Sequence, residues 1–370
     1  MNGAMNTDLT LLLLAVMALR PPMPRHSSPF NLQFALGWWI NEMPYLGLAW
    51  LVAGTIGTLV HPRSGLGWWL AAGLTGVDVL LLAGLAVRAR SARPALSEAF
   101  RAVYGPAGEP RRGRPAWWRF VLPIVSWRPD VRRVRNLRYG PAGRGNRLDV
   151  YVGRHDRSGA PVLVHVHGGG FVMGSKMLGA RPMLYRLAAQ GWVCLSIDYR
   201  LFRVGYADQL ADVRAALAWA RTHAPGYGGN PDAIFVAGGS SGAHLAATAA
   251  LTGTEVRGVI GLYGYYGRVG PRGPAPTSPH DCLHPGAPPF LVVHGALDTL
   301  VLRHDARAFA DALRGVSRQP VVYAELPGAQ HNLDFFHSLR AQSVIDAVVR
   351  FAELAGGSHA PGSGTAASAS

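Results

Sequence analysis

The sequence predicts an α/β fold: an eight-stranded, mostly parallel sheet with helices on both faces. From Val134 onward, short runs rich in β-branched residues alternate with stretches whose apolar residues recur every three or four positions. The predicted strands are Val134–Tyr139, Arg147–Val152, Val162–Val166, Val193–Ile197, Ala233–Ala237, Gly258–Tyr263, Phe290–Val293 and Val321–Leu326. The predicted helices are Met177–Ala189, Ala207–His223, Gly242–Leu251, Arg303–Leu313 and Leu339–Leu354. The first two strands have no helix between them and are expected to pair as a hairpin, whereas the later alternation implies right-handed crossovers between parallel strands.

Composition divides the chain into four regions. Residues 1–90 are strongly apolar, residues 91–130 are basic and aromatic, residues 131–355 carry the α/β pattern, and residues 356–370 are a Gly, Ser and Ala tail that is expected to be disordered. The two cysteines, Cys194 and Cys282, stand far apart without metal-ligand spacing, so free thiols in a reducing compartment are expected.

Two apolar stretches in the first region predict a transmembrane hairpin. They are Tyr45–Val60 and Gly67–Val87, and the second has 21 residues, enough to cross a bilayer. Asp78 near its centre opposes insertion by about 3 kcal/mol, but nine Leu and Val residues favour insertion by roughly 3 to 5 kcal/mol. The first stretch is short and needs residues 38–40, across Asn41 and Glu42, to span comfortably. A pair of buried or interfacial helices is the alternative interpretation.

The basic charge of the chain is concentrated beside these stretches. The whole chain has 36 basic and 21 acidic residues, and 13 arginines lie between Arg88 and Arg138 with only three acidic residues. By the positive-inside rule, both ends of the hairpin face the cytoplasm, so the predicted location is the cell membrane with the α/β domain inside. No zinc-finger, RNP or helix-turn-helix pattern accompanies the arginines, so an anionic membrane is favoured over nucleic acid as a partner. Residues 91–130 are interpreted as a juxtamembrane linker or a cap over the active site.

A serine nucleophile is predicted at Ser240. Gly238-Gly-Ser-Ser-Gly242 has the G-x-S-x-G pattern, and it follows an apolar strand and precedes a helix rich in small residues. Turning directly from strand into helix strains the central residue, and glycines two positions away on either side let the backbones pass. The pattern alone is weak, since a chain with 46 glycines produces chance matches. Its strand and helix context distinguishes it from an ordinary glycine loop.

An oxyanion-binding turn is predicted at the end of the third strand. His167 is followed there by three glycines, which allow backbone N–H groups to converge on a developing negative charge. Gly169 and Gly170 are the expected donors, with the backbone N–H of Ser241 as the third. A phosphate-binding loop is the competing interpretation, but no Lys-Ser/Thr pair follows the glycines. His167 itself is expected to hold the loop.

The acid and the base of a catalytic triad are predicted downstream, in the order Ser, Asp, His. Asp298 ends a loop after a late strand, and His331 lies in a turn after the last strand. His331 is expected to serve as general base and then general acid. Four other histidines are expected to be packing or surface residues, namely His244, His294, His304 and His337. No H-E-x-x-H motif and no Cys/His cluster is present, so neither a metal nor another cofactor is expected.

These motifs resemble the hormone-sensitive-lipase-like esterases of the α/β-hydrolase fold, in particular membrane-associated actinobacterial carboxylesterases. The resemblance covers residues 137–353. It rests on six motifs in order: HGGGF at 167–171, DYRL at 198–201, YGGNPD at 227–232, GGSSG at 238–242, HGALD at 294–298 and GAQH at 328–331. Gly239 and Ser241 depart from the Asp and Ala that are usual beside the family's nucleophile. The segment Gly264–Ala287 is shorter than the usual insertion, which leaves the acyl pocket undefined.

The resemblance implies an acyl-enzyme mechanism on ester substrates, with a small ester or a lipid as the partner molecule. Two alternatives stay open from the residues alone. An amidase or arylformamidase would use the same triad, and a catalytically silent binding protein could share the fold. The motifs do not specify the leaving group. The loop formed by Asp198, Tyr199 and Arg200 is interpreted as a buried ion pair that stiffens the region near the oxyanion glycines.

Overall fold

The computed structural model describes residues 2–27, 32–60, 65–113, 117–154, 158–270 and 277–356. Eight strands form one sheet: β1 (Val131–Arg138), β2 (Arg147–Gly153), β3 (Ala160–Val166), β4 (Val193–Ile197), β5 (Gly229–Gly239), β6 (Gly258–Leu262), β7 (Phe290–Gly295) and β8 (Val321–Leu326). The helices are α1 (Asn2–Leu19), α2 (Leu32–Glu42), α3 (Pro44–Val60), α4 (Leu66–Ala89), α5 (Ala92–Tyr104), α6 (Trp118–Val121), α7 (Arg181–Ala189), α8 (Tyr206–His223), α9 (Ser241–Leu251), α10 (Arg303–Val316) and α11 (Leu339–Gly356).

The strand order is β1-β2-β4-β3-β5-β6-β7-β8. As predicted, β1 and β2 pair as an antiparallel hairpin, and β3 to β8 run parallel to one another. The hairpin joins the rest through an antiparallel pairing of β2 with β4. Since β3 and β5 are neighbours, with Val166 opposite Gly238, the glycine turn after β3 and the serine turn after β5 emerge side by side.

Both faces of the sheet are covered by helices, which confirms the predicted architecture. Alternate residues of β3 enter different cores: Val162 and Val164 belong to the core that includes residues of α8, α9 and α10, whereas Leu163 belongs to the core that includes residues of α5, α7 and α11. The strands are therefore apolar on both sides, as parallel strands buried between two helical layers require. Helix α7 begins four residues later than predicted. Ala180 has a positive φ of 48°, which a continuous helix does not allow.

Helices α1 to α4 form a small bundle with its own apolar cluster. Helices α3 and α4 are in contact, but the described apolar part of α3, Pro44–Ile56, is too short to span a bilayer. In the described part of the chain, one helical stretch, Leu66–Tyr104, which contains α4 and α5, is long and apolar enough to cross a membrane, judged by length and composition. The predicted connection His61–Ser64 and the predicted tail from residue 357 onward lie outside the described residues.

The idea that α3 is extended by residues 38–40 is wrong. Those residues belong to α2, which ends at Glu42, and the helical conformation is interrupted at Met43 before α3 begins at Pro44. Proline lacks a backbone N–H and clashes with the preceding turn, so it suits the first position of a new helix and not the middle of a long one. Helix α2 packs against the α/β domain instead.

Part of the basic stretch 91–130 belongs to the core of the α/β domain. Ala92, Leu96 and Phe100 of α5 are buried with residues of β8 and α11. Farther along, Phe120 of α6 stacks on Tyr45 at the start of α3, with ring centroids 5.8 Å apart. This stretch therefore connects the helical bundle and the sheet through side-chain packing.

Candidate active site

Ser240 lies at the sharp turn between β5 and α9. Its backbone has φ 54° and ψ −122°, a strained conformation for a residue with a side chain. A methyl group at Gly238 would clash with the carbonyl group of Gly242, and one at Gly242 would clash with the carbonyl oxygen of Val166. The two glycines of the motif are therefore required by close backbone approach, as the sequence predicted. The nucleophile candidate stands at the carboxyl edge of the sheet.

Gly239 departs from the family pattern, and the structure gives a local reason. A methyl group there would overlap the hydroxyl of Tyr263. That hydroxyl donates a 2.5 Å hydrogen bond to Asp334, and the two side chains are buried. Tyr263 thus occupies the space that a longer side chain at position 239 would need.

Asp298 and His331 are joined in the predicted manner. His331 Nδ1 donates to Asp298 Oδ2 over 2.7 Å, and both side chains are almost fully buried. The other carboxylate oxygen accepts the backbone N–H groups of Leu300 and Val301, each at 2.9 Å. The carboxylate is therefore held on both oxygens, which leaves Nε2 of His331 as the free position of the ring for proton transfer.

His294 is a second imidazole beside the same carboxylate, and the sequence did not predict this contact. Its Nε2 lies 3.3 Å from Asp298 Oδ2 and 2.8 Å from the carbonyl oxygen of Val301. Burial by itself would raise the pKa of Asp298, but His331 and His294 together outweigh burial and hold that pKa well below its usual range. Asp298 is thus a carboxylate at neutral pH.

The glycine turn after β3 lies against Ser240. A Cβ at Gly168 would be 3.1 Å from the Cβ of Ser240. Gly169 and Gly170 have φ values of 131° and 62°, so their N–H groups take directions that other residues rarely allow. Ser241 is the first residue of α9, where N–H groups lack partners within the helix and the helix dipole is positive. All three expected oxyanion donors therefore belong to segments that meet at Ser240.

His167 holds this turn, as expected. It is fully buried, its Nδ1 donates to the carbonyl oxygen of Gly168 over 2.7 Å, and its ring stacks on Tyr199. The Tyr199 hydroxyl in turn donates to the His167 carbonyl oxygen over 3.1 Å. Burial lowers the pKa of His167, so its ring is neutral.

The loop ion pairs differ from the predicted pairing. Asp198 bonds to Lys176, with 2.9 Å between carboxylate and ammonium, and Arg200 bonds to Asp212 at 2.8 Å. Lys176 follows the glycine turn, so the pair with Asp198 does fix that region.

Among the other histidines, His244 is buried between Tyr206 and a backbone carbonyl and is a packing residue.

Two aromatic contacts with His331 were also not predicted. The ring of Tyr263 meets the imidazole edge to face at 4.6 Å, and Phe34 of α2 meets it at 5.7 Å. Both belong to segments distant from the catalytic motifs in sequence. The contact of α2 is notable because the aromatic stretch 91–130 had been the expected cover.

Known proteins similar to this chain are esterases and carboxylic ester hydrolases by name. The BD-FAE family pattern matches residues 148–264, which include the glycine turn and Ser240. LipM of Mycobacterium tuberculosis, named as a probable carboxylic ester hydrolase, is 33% identical over 92% of this chain and 90% of its own length. Esterase LipQ of the same organism is 31% identical over 88% of this chain and 85% of its own length.

The chain belongs to the carboxylic ester hydrolase family of LipM and LipQ. This esterase is an α/β-hydrolase of the hormone-sensitive-lipase-like type, as its motifs predicted. Its fold is shared with solved structures. A truncated carbohydrate esterase from gut microbiota superimposes with a TM-score of 0.53 at 18% identity, covering 60% of this chain and 96% of that one. Thermogutta terrifontis esterase 2 gives 0.52 at 24% identity, covering 62% and 96%. The predicted fold and ester hydrolysis are confirmed, and the roles of individual residues stay predictions.

Proposed function

We propose that the esterase cleaves carboxylic esters through an acyl-enzyme on Ser240, with His331 as base and Asp298 as the orienting acid. The buried 2.7 Å bond between His331 and Asp298 carries the proposal, because it fixes the imidazole tautomer that can accept the seryl proton. His331 takes that proton as Ser240 attacks the ester carbonyl, then gives it to the departing alkoxide. Water repeats the cycle on the acyl-enzyme and releases the acid.

The backbone N–H groups of Gly169, Gly170 and Ser241 are proposed to stabilise the tetrahedral oxyanion. Losing one such donor typically costs about 3 kcal/mol in the transition state, so three preorganised donors are a large part of the rate enhancement. Their support is the approach of Gly168 to the Ser240 side chain and the position of Ser241 at the helix start.

A fluorophosphonate probe tests the nucleophile. We expect the folded protein to be labelled once, and Ser240→Ala to be unlabelled and to lose at least about 10³-fold in kcat. Ser241→Ala is the matched control, because only its backbone N–H is assigned a role, and it is expected to keep labelling. Persistent labelling of Ser240→Ala would contradict the assignment.

A panel of p-nitrophenyl esters of graded chain length beside aryl amides separates esterase from amidase or arylformamidase activity and reports the pocket depth.

We also propose that the esterase is anchored to the cytoplasmic face of the cell membrane and takes small ester or lipid substrates. Helix α4 is long and apolar, and large apolar side chains of the bundle face outward, including Trp50, Leu66, Trp69 and Leu80. The segment that stacks on α3 also exposes large apolar side chains, including Trp117, Trp118, Ile124 and Trp127. Tryptophan beside arginine is typical of a membrane interface, and the arginines favour the cytoplasmic side.

A further inference from the structure

A polar pair interrupts the apolar N-terminal region at Asn41 and Glu42, and no role in ester hydrolysis explains it. Both side chains are buried, at 0% and 3% exposure, where the end of α2 meets the α/β domain. Buried polar groups persist only where their hydrogen bonds are made. The partners of this pair therefore indicate what it holds together.

Asn41 connects two helices of the bundle to the loop of the catalytic histidine. Its Nδ2 donates to the carbonyl oxygen of Gly328 over 2.9 Å, and Gly328 is three residues before His331. Its Oδ1 accepts from Arg88 of α4 over 3.0 Å. Both the nitrogen and the oxygen of the Asn41 amide are thus hydrogen-bonded, and the partner of the nitrogen lies on the turn that leads to His331.

Glu42 fixes the other end of the same loop. One carboxylate oxygen accepts from Arg340 over 2.9 Å, and the other accepts from Ser338 over 3.0 Å. Arg340, which is fully buried, also donates to the backbone carbonyl of Asn41 over 2.9 Å. A buried ion pair is weak evidence for stability, because desolvation cancels much of its attraction, but it specifies one arrangement of the elements it joins.

Aromatic side chains of α2 cover the loop between these two anchors. Phe34 meets the His331 ring, and Trp38 stacks on Phe336 at 5.1 Å and meets Phe335 edge to face at 5.6 Å. Phe34, Trp38 and Asn41 are spaced by four and three residues, so they share one face of α2. That whole face is directed at the loop from Gly328 to Phe336.

We propose that this face of α2 is a positioning element of the active site, in which Asn41 and Glu42 hold the His331 loop in register with Ser240. The inference rests on the proposed roles of Ser240 and His331. Asn41 and Glu42 touch the loop and not the reacting atoms, so they are positioning residues. The N-terminal helices are then needed for turnover as well as for anchoring.

The test compares Asn41→Leu and Asn41→Asp with wild type in the full-length protein in detergent. Leucine has a similar size and removes both hydrogen bonds, whereas aspartate keeps the acceptor for Arg88 and loses the donor to Gly328. A misplaced catalytic group lowers turnover by roughly 10- to 100-fold. We expect such a fall in kcat for both variants, with KM changed less than about two-fold and fluorophosphonate labelling slowed in parallel with kcat.

Leu82→Ala is the matched control. Leu82 is fully buried in the apolar cluster of the same bundle, against Gly47, and its hydrocarbon side chain makes no hydrogen bond to the loop. It is expected to lower thermal stability and leave kcat unchanged. Full kcat in Asn41→Leu, or an equal loss of kcat in Leu82→Ala, would overturn the inference. If the Asn41 variants fail to fold, Ser338→Ala replaces them: a selective fall in kcat supports the inference, and wild-type kcat opposes it.

The two proposals fail in different ways. Labelling that persists in Ser240→Ala would overturn the proposed function, and this inference with it. Loss of labelling in Ser240→Ala, together with wild-type kcat in Asn41→Leu, would overturn this inference alone.

Discussion

At the residue scale, the proposed triad is surrounded by buried polar groups that the motifs do not include. His294 shares the carboxylate of Asp298, and Tyr263 packs on His331 while bonding to Asp334. Tyr263 also fills the space beside Gly239, where the resembling family usually has Asp. The family's Asp at position 239 is thus absent, and another carboxylate, that of Asp334, is linked to the same place by its hydrogen bond to Tyr263.

Asp334 is expected to make stability depend on pH. Burial, only partly opposed by the Tyr263 hydrogen bond, raises its pKa to about 6, so the fold favours the neutral acid. The stabilisation is fully present below the unfolded-state pKa near 4 and is lost as pH rises through about 6. Two pKa units correspond to about 3 kcal/mol.

Asp334→Asn tests this, because asparagine never ionises. The thermal midpoint of Asp334→Asn minus that of wild type is expected to increase from pH 4.5 to pH 7.5, since only the wild type loses stabilisation in that range. Asp311→Asn, at an exposed site, provides the reference for general charge effects. A difference between Asp334→Asn and wild type that stays constant with pH would contradict the assignment.

At the element scale, the sequence predicted most of the sheet and little of the packing around the active-site loops. All eight strands were found, because parallel strands between two helical layers are short, apolar and bounded by turns. Ser240, Asp298 and His331 were predicted for the same reason, since each follows a strand. Phe34, Tyr263 and Asn41 were not, because their contacts join segments far apart in the chain and produce no local periodicity.

Helix α5 shows how a composition boundary misleads. Arginines and prolines made residues 91–130 resemble a linker, yet Leu96 and Phe100 face the core at the β8 side of the sheet.

Phe100→Ala is expected to destabilise the protein by about 3 to 5 kcal/mol, because it leaves a cavity between α5, β8 and α11. Thermal or denaturant unfolding measures this, and Glu98→Ala on the exposed face of α5 is the control. Equal stability of Phe100→Ala and Glu98→Ala would mean that α5 is not part of the core.

At the scale of the whole molecule, the apolar bundle and the hydrolase domain share one set of contacts. Ser27 accepts from the backbone of Leu302, near Asp298, while Asn41 reaches Gly328, near His331. The N-terminal region thus touches both loops that carry the proposed acid and base. A membrane anchor in this position would set the orientation of the active-site opening relative to the lipid surface.

The proposed anchoring predicts that full-length protein stays in the membrane pellet after alkaline carbonate extraction and enters solution only with detergent. A helix of this length and hydropathy resists extraction, whereas a protein bound through arginines alone is released, because carbonate removes electrostatic attraction. In spheroplasts, a C-terminal epitope tag is expected to resist added protease until lysis, because the proposed orientation has the hydrolase domain inside. Recovery without detergent would contradict the anchor, and digestion of the tag in intact spheroplasts would reverse the orientation.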